Sequence, residues 1–168
     1  MLDTSAFLAG FDPFSLCEEQ VTVPKVCDEI KSESMALVRF NAAVASGKVK
    51  IKIPKEKFSN VIRLSASKVG DAYLLSETDK QLLSLAVELK IQGKHPEIIT
   101  DDYSIQNVAK QNGIDFYALT TFGIRRLLEW IRYCPACYRE YPINSLFSVC
   151  QICGTALKRK PKRTTRKR

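Results

Sequence analysis

The sequence predicts an α/β domain with a mainly parallel sheet, followed by a short cysteine-rich module and a basic tail. Three observations lead there. Strand-like apolar stretches alternate with helical patterns up to about residue 119, four of the six cysteines fall between residues 134 and 153, and the residues after 157 are almost all basic.

Taken in order, residues 1–3 read as a very short strand. The stretch VTVPKVCDEIKSESMALVRFNAAVASG reads as one helix, with Pro24 in its first turn and Gly47 as its stop. KVKIKI alternates as a half-exposed strand. Pro54 opens a second helix, whose Phe58, Val61, Ile62, Ser65 and Val69 share a face before Gly70. A third helix covers residues 76–90, PEIIT is a short apolar strand, residues 102–112 form a further helix closed by Gly113, and DFYAL is the last strand. The pattern changes after TTFG. This divides the chain into a domain over 1–122, a linker and four-cysteine module over 123–157, and a disordered basic tail over 158–168.

The chain has 168 residues, 45% of them hydrophobic, enough for one domain with a real core plus a small appendage. No apolar run approaches the roughly 20 residues that span a membrane. The start lacks the pattern of a secretory signal, so a cytoplasmic protein is expected. Net charge is +8, yet the final KRKPKRTTRKR holds eight of the 26 Lys and Arg residues and no acid. Removing those eight leaves 18 basic residues against 18 acidic ones. A tail of this composition contacts phosphates without reading sequence, or serves solubility or localisation.

The stretch CPACYREYPINSLFSVCQIC contains two Cys-x-x-Cys pairs, Cys134/Cys137 and Cys150/Cys153. Each two-residue spacer lets one tight turn aim both sulfurs at the same ion, and four thiolates suit structural Zn²⁺. Disulfides or an iron centre are the competing readings. So short a segment cannot build a core, and the metal then supplies its folding energy. Gly154 follows the second pair where positive φ is wanted; Tyr138 stands at the equivalent place after the first. Cys17 and Cys27 read as buried thiols.

Four carboxylates recur where a core face is expected to be apolar. Asp3 ends the first strand, and Glu29 stands three residues after Val26 on one helix face. Asp79 is in line with Leu82, Leu83 and Ala86, and Asp101 lies at the carboxyl end of an apolar strand, where open parallel sheets put their ligands. Each has a plainer reading: Ser76 and Asp79 fit a capping box, Asp102 fits a helix N-cap, and Glu29 can reach solvent. If the acids converge, burial raises their pKa values unless a cation neutralises them. Hard oxygen ligands without a nearby histidine suit Mg²⁺ or Mn²⁺, and such a site supports phosphodiester hydrolysis. Thr4 and Ser5 can orient Asp3; Ser104 and Asn107, one turn apart, are either accessory to the same pocket or surface polar groups. His95 is expected in an exposed loop.

MLDTSAF, VPKVCDEI, LSETD and IITDDYSIQNVA, in this order and joined to a four-cysteine ribbon, resemble the Nob-type ribosome-maturation endonucleases. That family carries a PIN domain with a zinc ribbon attached, and the compact length resembles its archaeal form. The resemblance reaches to about residue 157. It implies a PIN fold, with a mainly parallel central sheet flanked by helices. It also implies an endoribonuclease that cuts single-stranded RNA at the 3′ end of the small-subunit ribosomal RNA precursor, leaving a 5′-phosphate and a 3′-hydroxyl. Asp3, Glu29, Asp79 and Asp101 are then the Mg²⁺ or Mn²⁺ ligands, with Asp102 as accessory. The partners implied are that RNA and the precursor subunit, with protein assembly factors and no membrane. Arg125, Arg126, Arg132, Tyr133, Arg139, Lys158, Arg159 and Lys160 are the candidate RNA contacts, since arginine and tyrosine grip phosphate and stack on unpaired bases. Two alternatives are a non-catalytic ribosomal RNA-binding assembly factor and a toxin-like PIN ribonuclease.

Overall fold

The structure is a computed structural model that describes residues 1–30, 34–124 and 127–162. Its first domain is built on two short parallel ladders. β1 (Gln20–Thr22) pairs with β2 (Val49–Ile51), and β3 (Glu97–Ile99) pairs with β4 (Asp115–Tyr117). Residues 1–3 join them. Leu2 N–H donates to Val21 O at 3.0 Å, while Ile99 N–H donates to Met1 O and Asp3 N–H to Ile99 O. The strand order is thus β2-β1-(1–3)-β3-β4, with the chain start at the centre, bridged parallel to β3 through Leu2 and Ile99. Leu2, Ile98 and Val23 are fully buried there.

Among the described residues, six α-helices cover this sheet: α1 (Thr4–Leu8), α2 (Pro24–Glu29), α3 (Met35–Ala45), α4 (Glu56–Val69), α5 (Glu77–Ile91) and α6 (Tyr103–Gln111). The expected long helix from Val21 is instead a strand and two helices. Val21, Thr22 and Val23 are β-branched and precede Pro24, which disfavours helical backbone in the residue before it; Val23 is extended at φ −113°, ψ 155°. Ile30 leaves the helix, and Ser34 caps a new one by accepting the Leu37 N–H. The face expected of α4 is present through Phe58, Ile62 and Val69, with Ala66 in place of Ser65. Val61 is exposed.

The C-terminal module is a three-stranded antiparallel sheet, with β5 (Trp130–Tyr133) between β6 (Glu140–Tyr141) and β7 (Lys158–Pro161). The disorder expected from residue 158 therefore begins too early. Lys158–Pro161 pair along all of β5, and two of their cations are paired with acids, one of them buried. Arg159 Nη2 lies 2.5 Å from Asp71, which is 1% exposed, and its guanidinium covers the Trp130 ring at 3.9 Å. Lys160 pairs with Glu140 at 2.7 Å. Gly70 lets the module approach: a Cβ there would stand 2.8 Å from Ile143 and 3.0 Å from Trp130. Asn107 completes the joint, donating to Asp71 and to Leu128 O while accepting the Leu128 N–H. It faces the module, not the acidic pocket. Residues 163–168 lie outside the described residues.

Candidate active site and metal centre

The acids gather at the carboxyl edge of the sheet. Asp3 follows the buried Leu2 and is itself only 4% exposed. One of its oxygens accepts from Ser5 Oγ at 2.7 Å and Thr100 Oγ1 at 2.8 Å. The same two hydroxyls accept the backbone N–H groups of Asp101 and Asp102, both at 3.1 Å. Two small hydroxyl side chains thus tie the first turn of the chain to the end of β3. Burial raises the Asp3 pKa, opposed by the hydrogen bonds from Ser5 and Thr100.

Glu29 is exposed at the end of α2, where Thr4 Oγ1 donates to it at 2.6 Å. Asp79 sits in the first turn of α5, and there the capping box and the site are one arrangement. Ser76 Oγ accepts the Asp79 N–H, and one Asp79 oxygen accepts the Ser76 N–H at 2.7 Å. The Asp79 pKa is pushed up to about 6. Burial is the main cause, offset by the Ser76 hydrogen bonds and reinforced by the negative charges of Asp3 and Asp102. Carboxylates from a strand end, a helix start and a helix cap therefore feel one another.

The adjacent acids Asp101 and Asp102 divide the work differently from the sequence expectation. Asp101 is turned into the loop after β4, where the N–H groups of Leu119, Thr120 and Thr121 and two threonine hydroxyls donate to it. Burial pushes its pKa up, but these threonine hydrogen bonds prevail and hold it at about 2. Its oxygens are committed to fixing a loop. Asp102 caps α6 through Oδ1 alone, accepting from the Ser104 N–H at 2.6 Å, and its charge reaches Asp79. Ser104 thus enters through its backbone. Among the described residues, no Lys or Arg pairs with Asp3, Glu29, Asp79 or Asp102. A set of hard oxygen donors, partly desolvated and without a protein cation, has the chemistry of a divalent-cation site.

Thr100, Thr120 and Thr121 were not foreseen. A signal existed for Thr100, a polar residue closing an apolar strand, and it is fully buried. His95 is exposed in the loop between α5 and β3, and Cys17, expected buried, is also exposed.

The four sulfurs of Cys134, Cys137, Cys150 and Cys153 lie within 4.8 Å of one another, with two pairs at 3.4 Å. Sulfurs around a tetrahedral Zn²⁺ are about 3.8 Å apart at normal bond lengths, so the cluster has the right size. The two turns match: Tyr138 N–H donates to Cys134 O and Gly154 N–H to Cys150 O, and both residues have positive φ, 58° and 72°. The Tyr141 hydroxyl accepts the Gln151 N–H and lies 3.1 Å from the Cys150 sulfur, so its own proton is free to support a thiolate. Of the expected RNA contacts, Arg132 instead donates to the carbonyls of Ser145 and Phe147, and Lys160 lies over the Tyr133 ring. Arg139 and Lys158 are exposed. Arg125 and Arg126 lie outside the described residues.

Residues 1–89 match the family described as PIN domain of ribonuclease. The chain is 38% identical over 161 residues to Endoribonuclease Nob1 of Methanothermobacter thermautotrophicus, covering 95% of this chain and 91% of that protein. It is 34% identical to Endoribonuclease Nob1 of Pyrococcus abyssi, covering 97% and 94%. Ribonuclease VapC1 of Thermoplasma acidophilum is 32% identical, covering 95% and 76%. A sheet edge that collects carboxylates, followed by a four-cysteine ribbon and matched nearly end to end by these relatives, shows that the chain belongs to the Endoribonuclease Nob1 family of PIN-domain ribonucleases.

Proposed function

We propose that this endoribonuclease hydrolyses single-stranded RNA at the 3′ end of the small-subunit ribosomal RNA precursor, within the precursor subunit, leaving a 5′-phosphate and a 3′-hydroxyl. The observation that carries a hydrolytic site is the partly buried Asp79 within electrostatic reach of both Asp3 and Asp102, with no Lys or Arg paired to any of the three among the described residues. We assign these three acids and Glu29 as the residues that would hold Mg²⁺ or Mn²⁺. When bound, the ion would acidify the attacking water and offset the negative charge that builds on the phosphoryl oxygens and the departing 3′-oxygen. The chain's own part is positional. Ser5 and Thr100 fix one oxygen of Asp3; Thr4 holds Glu29 from the adjacent helix; the α5 capping box fixes Asp79. Asp101 anchors the loop after β4 and so holds the backbone from which Asp102 projects. The four cysteines would hold Zn²⁺, closing the ribbon without an open coordination position.

The ribosomal destination is supported by the LSETD and TDDYSIQNVA segments joined to the ribbon, and by relatives named Endoribonuclease Nob1 over nearly their full length. The test is an end-labelled RNA spanning the precursor 3′ junction, incubated with Mn²⁺. Wild type cuts at one position; Asp79→Asn and Asp102→Asn do not, while Asp101→Asn loses about 10- to 100-fold, as expected of a residue that orients a ligand. Cleavage that survives in Asp79→Asn refutes the site.

A further inference from the structure

Beside the acidic pocket lies a second concavity, of about 460 Å³, walled by α2, α4 and α5. Its charged lining is Lys25, Arg63, Lys80, Glu56 and Glu77. Lys80 is neutralised by Glu77 at 2.6 Å. Lys25 and Arg63 enter no ion pair among the described residues, although both lie near enough to Glu77 to help Lys80 lower its pKa. Glu56 is in the first turn of α4, where the helix dipole already favours a negative charge. The groove thus presents two uncommitted cations.

Its position matters more than its net charge. Lys25 stands four residues before Glu29 on α2, one helical turn away, and Lys80 follows Asp79 on α5. The groove and the acidic pocket therefore share two helices. A polyanionic strand crossing a cluster of carboxylates needs fixed positive charge beside that cluster, and part of the ribbon's is already paired with Asp71, Glu140 and backbone carbonyls.

We propose that this groove is the subsite for the nucleotide next to the scissile bond of the RNA substrate, with Lys25 and Arg63 on its phosphate. The proposal rests on the ribonuclease reading of the acidic pocket, but its test does not require cleavage. Binding of a short single-stranded RNA is followed by fluorescence anisotropy in EDTA across a sodium chloride series, for wild type and for Lys25→Ala/Arg63→Ala. The double variant raises Kd about tenfold at fixed salt. It also reduces the slope of log affinity against log salt by about 0.7, the contribution of one single-strand phosphate. Lys25→Arg/Arg63→Lys restores both. Lys50→Ala/Lys94→Ala removes the same charge beside Glu19, on another part of the surface, and leaves the slope unchanged. In Mn²⁺, the loss in the groove variant falls on KM. An unchanged slope in Lys25→Ala/Arg63→Ala, or an equal change in the Lys50/Lys94 control, overturns the subsite. Failure of wild type to cleave RNA in Mn²⁺ instead overturns the reading of the pocket.

Discussion

Replacing Arg159 with alanine breaks the joint between ribbon and nuclease domain at its one buried charge pair among the described residues. The side chain of Asp71 is 2% exposed and that of Arg159 is 25% exposed, with 2.5 Å between nitrogen and oxygen. Removing one member of a buried pair costs about 3–5 kcal/mol, because the remaining charge keeps its desolvation cost without its partner. The guanidinium over Trp130 adds about 1 kcal/mol. Partial exposure of the arginine lets water take over some of its role, so the expected loss is about 3 kcal/mol. In a chain of this size that is a fall in Tm of about 6–12 °C. The assay has a local reporter, since Trp130 is the only tryptophan in the chain. Its emission should shift to the red in Arg159→Ala before global unfolding. A double-mutant cycle with Asp71→Ala should give a coupling of about 2 kcal/mol, and high salt should change it little. Arg159→Lys should recover only part of the loss, because an ammonium keeps the charge and forfeits the planar stack. Additive single mutants, with unshifted emission, would refute the latch.

Three further outcomes follow from the same geometry. Asp101→Asn should destabilise the protein by about 1–2 kcal/mol at pH 7. Because the folded-state pKa lies near 2, below the ordinary 3.8, the contribution of Asp101 is complete above about pH 4 and disappears as pH falls toward 2. Melting curves of wild type and Asp101→Asn should therefore converge over that window; a constant gap would mean the threonine cage does not act on the charge. Chelation of the ribbon metal, or Cys150→Ser, should unfold residues 130–161. That segment buries only Cys134 and Cys150, while Leu146, Phe147, Val149 and Ile152 are exposed, so no core survives the metal. Released zinc and the Trp130 emission should change together. Tyr138→Gly should raise ribbon stability by about 1 kcal/mol, since a left-handed backbone at φ 58° costs a tyrosine more than a glycine and its side chain is 74% exposed. A lower Tm in Tyr138→Gly would mean the ring packs on something essential.

Much of the fold was legible because its signals are local. Gly47 and Gly70 stop helices at positive φ, Ser76 and Asp102 start them, and the two Cys-x-x-Cys pairs close one cluster. The failures share a cause. Val21 to Val23 fit either end of a helical pattern, and only pairing with a strand 29 residues away decides for β1. Likewise, the charge run after residue 157 looks solvated until its partner is known. Asp71 and Trp130 are 88 and 29 residues from Arg159, and nothing in the tail itself announces them. Composition identifies segments without a core of their own; it does not detect those that borrow one.

The acidic pair in TDDYS shows the finer limit. Sequence places both carboxylates at the end of β3 and cannot say which faces the pocket, because one residue of backbone rotation exchanges them. Donor supply supports the assignment proposed above. Asp101 meets three N–H groups and two hydroxyls from 119–121. Asp102, already committed to α6 through one oxygen, keeps the other out of that cage. A carboxylate held near pKa 2 by neutral donors has little reason to exchange them for an ion, whereas a pocket that pushes Asp79 to about 6 does. On the reading proposed above, the stronger hydrogen-bond acceptor of the pair is the one left out of the metal site. Asp101→Asn and Asp102→Asn should separate accordingly, the first losing stability and only part of its cleavage, the second losing cleavage outright.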